Sequence, residues 1–391
     1  MNRPSPAVFL PCAAVFLLAA CGARDTAGPG APVYNVPVMV VSHLYVTTTG
    51  LDTNPGTELK PFATIARAAQ AATPGTIVHV APGTYEGGFK TLSSGSITPG
   101  GRIAYQSTVR WGARLVPPTE PARANSEVAW DNRGNYVDIV GFDIDGRGYQ
   151  GGIKWTTGIY SGGSHDAIKH NHVHHIATDV PCTSAGGAGI GVDSYYHGVR
   201  SDVIGNSVHD IGPAGCRFIQ GIYINTPGTV RNNIVYRIAE AGIHLWHDAN
   251  NVLIANNTVT ASNTGIVVGG GDFYYTKGPN DHTSVLNNIV YDNRRGIAEQ
   301  GATGKNNRYR NNLVFQNKDF DWKLLNGLTH QDTLTQAPGF VAYSRSGTPD
   351  LRLAANSPAI GKGLPGQVDP VDFHGKPRTA STGIDLGALQ H

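Results

Sequence analysis

Short segments in which every second residue is apolar recur along the chain, each bounded by Gly, Asn or Asp. One of them is Asn-x-Val, which occurs at residues 171–173, 206–208, 233–235, 257–259, 288–290 and 312–314. A second, Gly-Ile-x-apolar, alternates with it and begins at residues 189, 221, 242 and 265, with looser copies at 158 and 296. This alternation predicts pairs of short half-buried β-strands that are separated by turns.

The Asn-x-Val copies are spaced by 24 to 35 residues, which indicates a solenoid. Helical solenoids need apolar stripes with a period of about 3.6 residues, and these segments lack them. Short strands cannot bury a face alone, but strands stacked in parallel on successive coils form continuous sheets around a shared core. We therefore predict an all-β fold, a single-stranded right-handed parallel β-helix over residues 126–325. The repeated Asn predicts an asparagine ladder, because buried amides must be hydrogen-bonded.

Both ends of such a coil expose unpaired strand edges and need covers. Residues 62–72 are Ala-rich and place Phe62, Ile65 and Ala69 on one face of a helix, which we expect to plug the N-terminal end. Residues 43–125 then form the N-terminal cap and the first coils. The repeat ends near residue 325, and residues 326–391 are predicted to be an irregular C-terminal cap or wrap.

The N-terminus has the pattern of an export signal. Arg3 precedes an apolar stretch of 14 residues, Ala7 to Ala20, which is too short to cross a bilayer core of about 30 Å. The segment Leu18 to Gly22 (LAACG) resembles the bacterial lipoprotein box, which implies cleavage after residue 20 and acylation of Cys21. Residues 1–20 are then a lipoprotein signal peptide and residues 21–42 a linker. We expect an envelope protein at the outer rather than the inner membrane; an ordinary secretory signal and extracellular release are the alternatives.

The composition excludes other classes of protein. Only 15% of the residues are charged and 50 are Gly, which excludes helical bundles and coiled coils, while 40% hydrophobic residues argue against disorder. The formal net charge of +2 leaves no basic footprint for nucleic acid, and we expect a monomer.

Two cysteines are predicted to form a disulfide. Cys182 lies 11 residues after Asn171 and Cys216 lies 10 residues after Asn206, so they occupy near-equivalent positions on adjacent coils. In an oxidising compartment their Cα atoms would fall within the about 4.4–6.8 Å that a disulfide requires. The alternative is two free thiols on separate loops.

Two terminal segments carry a family resemblance. The first runs from Tyr45 to Tyr85 and includes GLDTNPGT at residues 50–57, KPF at 60–62 and PGTY at 82–85. It resembles the opening module of secreted bacterial right-handed β-helix proteins of the pectate-lyase-like superfamily. The segments NSPAI at 356–360 and GIDLGA at 383–388 are similar to the usual ending of that group. The resemblance implies the fold and, because the group contains polysaccharide lyases, epimerases, hydrolases and non-catalytic surface proteins, a carbohydrate-related function.

Stacking places candidate functional residues in rows. On each Gly-Ile strand the Ile points inward, so the outward residues of successive coils lie side by side. The first row is Gly191, Tyr223, His244 and Val267, and the second is Asp193, Asn225, Trp246 and Gly269. The nearby candidates are Tyr196, Arg217, Arg237, His247 and Asp248, with Tyr274, Tyr275 and Lys277 in a loop that walls one side.

This set suits β-elimination of a uronate in an acidic polysaccharide. The reaction needs a cation to neutralise the carboxylate, a base to take the α-proton and an acid to protonate the leaving oxygen. We predict Arg217 as the cation, with Arg237 as a second substrate-binding cation. His244 is the predicted base, since His titrates near neutral pH, and Tyr223 the predicted acid.

Further residues are assigned to binding. Trp246 offers a flat face for a sugar ring, and His247, Asp248 and Tyr196 are predicted to bind substrate beside it. Asp193 with Asn225 has hard oxygen ligands for Ca²⁺, the one candidate cofactor.

Two other functions stay open: a glycoside hydrolase that uses two carboxylates such as Asp193 and Asp248, and a non-catalytic glycan-binding protein. A second set of histidines lies on the Asn-x-Val strands and comprises His170, His172, His174, His175 and His209. Because no second acidic residue is suitably spaced along the sequence, we favour a solvated strand face there over a zinc site.

Overall fold

Parallel strands wind around one apolar core, as the repeat predicts. The computed structural model describes residues 41–379, 381 and 383–391. The predicted signal peptide, the lipidation residue Cys21 and nearly all of the linker lie outside the described residues. Of the helices formed by the described part, none is long and apolar enough to cross a membrane.

The elements are, in chain order, β1 (Ser42–Val46), α1 (Ile65–Ala71), β2 (Thr76–Val80), β3 (Gly83–Glu86), β4 (Phe89–Thr91), β5 (Ile103–Ser107), β6 (Ala113–Val116), β7 (Val128–Asn132), β8 (Val137–Val140), β9 (Asp143–Asp145), β10 (Thr157–Ser161), β11 (Asp166–Lys169), β12 (His172–His174), β13 (Gly187–Val192), β14 (Ser201–Ile204), β15 (Ser207–Ile211), β16 (Ile219–Ile224), β17 (Gly228–Arg231), β18 (Ile234–Ile238), β19 (Ala241–Leu245), β20 (Val252–Ala255), β21 (Thr258–Thr260), β22 (Thr264–Gly270), β23 (Ser284–Leu286), β24 (Ile289–Tyr291), β25 (Arg295–Gly301), β26 (Arg308–Arg310), β27 (Leu313–Phe315), β28 (Phe320–Lys323), β29 (His330–Gln331), β30 (Phe340–Ala342) and β31 (Asp350–Leu353).

Three sheets form the walls of the coil. Sheet 1 contains β1, β2, β5, β8, β11, β14, β17, β20, β23, β26 and β29. Sheet 2 contains β4, β7, β10, β13, β16, β19, β22, β25 and β28, and sheet 3 contains β3, β6, β9, β12, β15, β18, β21, β24 and β27. In each sheet a strand pairs in parallel with the equivalent strand of the next coil. This stacking confirms the predicted parallel β-helix.

An asparagine ladder joins successive coils at the turn before sheet 3. Its members are Asn171, Asn206, Asn233, Asn257, Asn288 and Asn312, all with 0% exposure. Asn233 shows the pattern: its Oδ1 accepts from the backbone N (2.9 Å) and Nδ2 (3.0 Å) of Asn206. Its Nδ2 donates to the carbonyl of Val203 (3.0 Å) and to Oδ1 of Asn257 (2.9 Å). Each amide therefore meets the hydrogen-bonding requirement of a buried polar group inside the ladder itself.

The helix and the C-terminal segment cover the coil in different ways. Helix α1 buries Ile65 and Ala69 and contacts β1 and β4, the first strands of sheets 1 and 2. The C-terminal segment returns along the outer face of sheet 3, where Leu351 and Phe373 pack on Ile234. This segment is therefore a wrap along the side of the coil, which shields the outer face of sheet 3.

Candidate active-site cavity on sheet 2

A cavity of about 570 Å³ opens on the outer face of sheet 2. We call it the sheet-2 cavity. Its floor comes from the predicted first row, because Gly191, Tyr223 and His244 are paired in register on β13, β16 and β19. The residues named in the sequence analysis that line it are Gly191, Asp193, Arg217, Tyr223, Asn225, His244, Trp246, His247 and Tyr274. The lining residues that the sequence reasoning did not select are Thr157, Tyr160, Gln220, Asp272 and Gln300, with the loop residues Ser184 to Ala188 and Phe218.

Three predicted substrate-binding residues, Arg237, Tyr196 and Asp248, do not line the sheet-2 cavity. Arg237 belongs to β18 in sheet 3, where it forms an ion pair with Asp210 (2.6 Å). The prediction for Arg237 is wrong because the chain turns from sheet 3 to sheet 2 between it and His244. Tyr196 does not line the cavity; its ring lies under the guanidinium of Arg133, 3.5 Å from the ring centre.

Asp248 anchors a loop and is not part of the cavity lining. Its carboxylate accepts from the hydroxyls of Ser194 (2.9 Å) and Thr276 (2.8 Å) and from the backbone N of Thr276 (3.0 Å). Although burial works against it, these hydrogen bonds hold the pKa of Asp248 below its usual value. Asp248 therefore does not bind substrate as predicted; it fixes the loop that carries Asp272 and Tyr274.

The floor of the sheet-2 cavity carries a phenol and an imidazole side by side. The rings of Tyr223 and His244 are 5.3 Å apart. Neither nitrogen of His244 has a hydrogen-bond partner among the described residues, although both are covered. Burial, followed by the neighbouring His247, lowers the pKa of His244 to about 3, so the expectation that it titrates near neutral pH is wrong. Burial raises the pKa of Tyr223 well above its usual value and keeps it a neutral phenol.

A connected set of side chains forms one wall. Nδ1 of His247 lies 2.7 Å from the carbonyl oxygen of Asp272, so this nitrogen must donate. Its Nε2 then accepts from the hydroxyl of Tyr274 at 3.0 Å, and the two rings stack at 4.1 Å. Trp246 donates from Nε1 to the carboxylate of Asp272 (3.2 Å). The wall therefore holds a tyrosine hydroxyl that donates a hydrogen bond to a histidine nitrogen.

Asp193 and Asn225, the predicted Ca²⁺ ligands, bond to each other. Nδ2 of Asn225 donates to Oδ1 of Asp193 (3.1 Å), and the hydroxyl of Tyr160 donates to Oδ2 (3.0 Å). Oδ1 of Asn225 is buried and has no hydrogen-bond partner among the described residues. Since Ca²⁺ takes about six to eight oxygen ligands, this pair does not fit a preformed Ca²⁺ site.

A disulfide positions the rim. Cys182 and Cys216 are bonded, with their Cα atoms 5.4 Å apart, as their spacing in the repeat predicts. Arg217 follows Cys216 directly and extends the rim, where it is exposed to solvent. Glu240 lies near enough to sense the charge of Arg217 but forms its ion pair with Arg295 (3.9 Å). The guanidinium of Arg217 is therefore available to an acidic ligand.

A separate group of imidazoles lies on sheet 3. We call His172, His174, His175 and His209 the histidine cluster. Their strand pairing directs His172, His174 and His209 away from the core, as predicted, but His174 is only 4% and His209 only 8% exposed. The prediction of a solvated face is therefore wrong for these two histidines. The acidic neighbour that the sequence did not reveal is Asp143, which lies opposite His172 on the preceding coil, 29 residues earlier in the sequence.

Comparisons with known proteins agree with this architecture. A family model described as "Right handed beta helix region" matches residues 130–348, and a model of a family of unknown function (DUF1565) matches residues 48–91. The Bacillus subtilis (strain 168) protein YwoF is 33% identical over 140 residues, which are 35% of this chain and 29% of that protein. The chain thus spans less than a third of the length of that relative.

Solved structures share the fold at low sequence identity. Pectate lyase Pel9A superposes with a TM-score of 0.59 at 16% identity, over 90% of this chain and 97% of that one. A rhamnogalacturonan lyase gives 0.52 at 16% identity over 78% and 91%, and XylC in complex with xylose gives 0.52 at 13% over 75% and 70%. Because the family model matches more than half of the residues and the coils stack as its description states, the chain belongs to the right-handed β-helix family.

Proposed function

We propose that this protein binds an acidic, uronate-containing polysaccharide in the sheet-2 cavity and cleaves it by β-elimination. The observation that carries the proposal is the convergence of Arg217 on the rim with Tyr223 and His244 on the floor of one cavity. Both covered nitrogens of His244, and Oδ1 of Asn225 in the same cavity, have no hydrogen-bond partner among the described residues. Buried polar groups without partners are costly unless a ligand or water satisfies them. The structural neighbours include proteins named as pectate and rhamnogalacturonan lyases, which supports a carbohydrate ligand.

A basic track next to the cavity supports a polymeric acidic ligand. A second depression is lined by Arg217, Arg294 and Arg295, and a third by Arg295 and Lys323. Arg217 also lines the sheet-2 cavity, so the three depressions follow one another along the coils. Arg294 and Arg295 share the carboxylate of Asp319 at 2.8 and 3.6 Å. Arg217 and Lys323 form no ion pair among the described residues, so these two cations, at opposite ends of the track, are the ones available to carboxylates of a polyuronate.

The side chains divide the steps of elimination between them. Arg217 binds the uronate carboxylate and thereby makes the α-proton more acidic. Tyr274 takes that proton while its own hydroxyl proton passes to Nε2 of His247. The electrons of the broken C–H bond form a double bond to the β-carbon, the bond from that carbon to the glycosidic oxygen breaks, and Tyr223 protonates the oxygen. Tyr274 is then again a phenol, His247 is an imidazolium and Tyr223 is a phenolate. Transfer of one proton through solvent from His247 to Tyr223 restores the starting state.

This assignment moves the base from His244 to Tyr274. A histidine whose pKa is about 3 stays neutral at physiological pH and provides little driving force for accepting a proton. Its free nitrogens instead suit a hydrogen bond from a sugar hydroxyl. Trp246 keeps its predicted role as the flat face for a sugar ring, since such rings stack on exposed indoles.

The experiment is an ultraviolet assay for the unsaturated uronate product with alginate, pectate and glycosaminoglycans. We expect Tyr274→Phe and Tyr223→Phe each to lower kcat about 10²–10⁴-fold, the usual range for a lost acid or base. Tyr275→Phe is the matched control, because its hydroxyl donates to the carbonyl of Tyr195 outside the lining. If no substrate gives the absorbing product, elimination is refuted. If His244→Gln lowers kcat as far as Tyr274→Phe does, the base assignment is refuted.

Binding of the carboxylate is tested with a pair of arginines. Arg217→Gln should raise KM for the acidic polymer at least tenfold. Arg237→Gln removes an arginine that lies on sheet 3 and should leave KM unchanged. Equal effects of the two substitutions would show that overall charge, and not the rim position, determines binding.

A glycoside hydrolase is the second candidate, because two carboxylates, Asp193 and Asp272, line the same cavity. Both raise the pKa of Tyr223 and of Tyr274, so both lie close to the reacting groups. New reducing ends without the unsaturated product, lost in Asp272→Asn, would support hydrolysis. Glycan binding without either product would support a non-catalytic binding protein.

We also propose that acylated Cys21 anchors the protein to the outer membrane. The proposal rests on the lipoprotein-like segment, which lies outside the described residues. Fractionation of cells that express the wild type and Cys21→Ala tests it. The wild type should co-sediment with outer membranes and the variant should not.

A further inference from the structure

Carboxylates and imidazoles form a regular grid on the outer face of sheet 3. Residues two apart on a strand share a face, so Asp143 and Asp145 of β9 lie side by side. The pairing of β9 with β12 sets His172 opposite Asp143 and His174 opposite Asp145. The pairing of β12 with β15 then sets His209 opposite His174. Three coils thus bring together groups that are distant in the sequence.

Two nitrogens converge on one carboxylate oxygen. Oδ1 of Asp143 lies 2.9 Å from Nδ1 of His172 and 2.9 Å from Nε2 of His174. The outer nitrogen of each imidazole meets another histidine: Nε2 of His172 is 2.7 Å from Nε2 of His209, and Nδ1 of His174 is 2.7 Å from Nδ1 of His175. Both imidazoles are therefore held at both nitrogens.

The other two carboxylates near the histidine cluster are occupied by arginines. Asp145 accepts from Arg147 through both oxygens and also from Arg114. Asp210 accepts from Arg237 at 2.6 and 2.7 Å. Asp143, in contrast, has only Nε of Arg114 at 3.5 Å, and that nitrogen makes no hydrogen bond. Asp143 is thus the carboxylate that is free to take a further cation.

The hydrogen-bond count at the histidine cluster is one hydrogen short when the rings are neutral. The series Asp143, His172, His209, Asp210 contains three contacts of 2.6–2.9 Å, and each contact needs one hydrogen. Two neutral imidazoles carry only two N–H groups between them. With neutral rings, one contact would bring two lone pairs together.

A metal ion at Asp143 removes the conflict. If Nδ1 of His172 and Nε2 of His174 bind a metal, His172 donates from Nε2 to His209, and His209 donates from Nδ1 to Asp210. His174 likewise donates from Nδ1 to His175. Every remaining contact then has one hydrogen with all rings neutral. Histidine ligands typically donate their second N–H to such an outer partner.

We propose that Asp143, His172 and His174 bind one divalent first-row transition-metal ion. Two imidazoles and a carboxylate are a donor set that suits Zn²⁺ and its neighbours, and they leave a position for water. Tetrahedral ligands at about 2.0–2.1 Å have donor atoms about 3.3 Å apart. The carboxylate oxygen, at 2.9 Å from each nitrogen, therefore needs to separate from them by only a few tenths of an ångström, and the three donor atoms lie within 4.8 Å of one another. The side chains of His172 and Asp143 are 22% and 15% exposed, which provides the route of entry. Because the site is on sheet 3, it is independent of the sheet-2 cavity and of its proposed function.

The test is calorimetric titration of the full chain, freed of metal with a chelator, with Zn²⁺, and visible absorption after titration with Co²⁺. We expect one equivalent of either ion, a Co²⁺ spectrum typical of nitrogen and oxygen donors, and a rise in Tm with the bound ion. His172→Gln and Asp143→Asn should each weaken binding at least 100-fold. His209→Gln removes an outer partner and should weaken it about 10–100-fold.

A second pair of histidines provides the control. His43 and His79 contact each other at 2.9 Å on sheet 1 without a carboxylate between them, so His79→Gln should leave one equivalent bound. Absence of binding by the wild type, or equal binding by wild type and His172→Gln with unchanged circular dichroism, would overturn the proposal. Loss of the ion in His175→Gln but not in His172→Gln would place it on Asp145, His174 and His175, and would overturn the assignment to Asp143.

Discussion

The asparagine ladder makes a quantitative prediction for Asn233→Ala. The substitution leaves the backbone N of Asn206 and the carbonyl of Val203 without the side-chain partners that they have at 2.9 and 3.0 Å. Each orphaned buried group costs about 1–3 kcal/mol. The amides of Asn206 and Asn257 keep other partners, so they add little. We expect a loss of about 3–5 kcal/mol once the small cavity left by the side chain is included.

Urea unfolding followed by circular dichroism measures this loss. The matched control is Asn306→Ala, because Asn306 is exposed and its side-chain amide donates to Asp281 at 2.7 Å. That variant should lose no more than about 1 kcal/mol. If Asn233→Ala and Asn306→Ala unfold at the same urea concentration with equal slopes, the ladder does not stabilise the stack and our reasoning about buried amides is refuted.

Three further predictions concern the disulfide, a buried carboxylate and the cavity floor. Replacing both Cys182 and Cys216 with Ser should lower the free energy of urea unfolding by about 4 kcal/mol, the chain entropy expected for a disulfide with a sequence separation of 34. Because Arg217 directly follows Cys216, the double substitution should also raise KM more than it lowers kcat. An unchanged KM would refute the role of the disulfide in positioning Arg217. Burial raises the pKa of Asp166 to about 7. The protonated carboxyl therefore stabilises the fold fully below the unfolded pKa of about 3.9, and this stabilisation is lost as the pH rises through about 7. In unfolding curves recorded between these two pH values, Asp166→Asn should abolish the decline in stability. The ring resonances of His244 should not shift between about pH 5 and 8, since its pKa is about 3; a midpoint in that interval would restore it as a candidate base.

Much of the cavity floor follows from local pattern. Because strands of successive coils pair in register, equivalent positions in the repeat become neighbours, which is why Tyr223 and His244 were predictable as a pair. The same reasoning predicts the disulfide, since its cysteines follow ladder residues at nearly equal intervals. Arg217 lines the same cavity because it precedes β16, a strand of sheet 2.

Other functional contacts depend on how irregular segments fold back. Arg237 precedes the strand of His244 much as Arg217 precedes the strand of Tyr223. It nevertheless belongs to β18 in sheet 3 and faces the C-terminal wrap. Asp248 resembled a substrate ligand until its hydrogen bonds to Thr276 showed that it fixes a loop. The contact between Tyr274 and His247 depends on how that loop folds back onto the wall, and no repeat encodes this contact.

The histidine cluster shows the same division. The search along the sequence found no acid near the histidines, yet stacking places Asp143 between His172 and His174. Fold, period and register could be inferred from residue pattern alone, because in a solenoid each coil interacts mainly with the next and the same local preferences repeat. Only the folded chain determines which carboxylates are neutralised by arginines and which polar groups are left without partners. The same holds for how far burial shifts each pKa, because all three depend on contacts between distant loops and sheets.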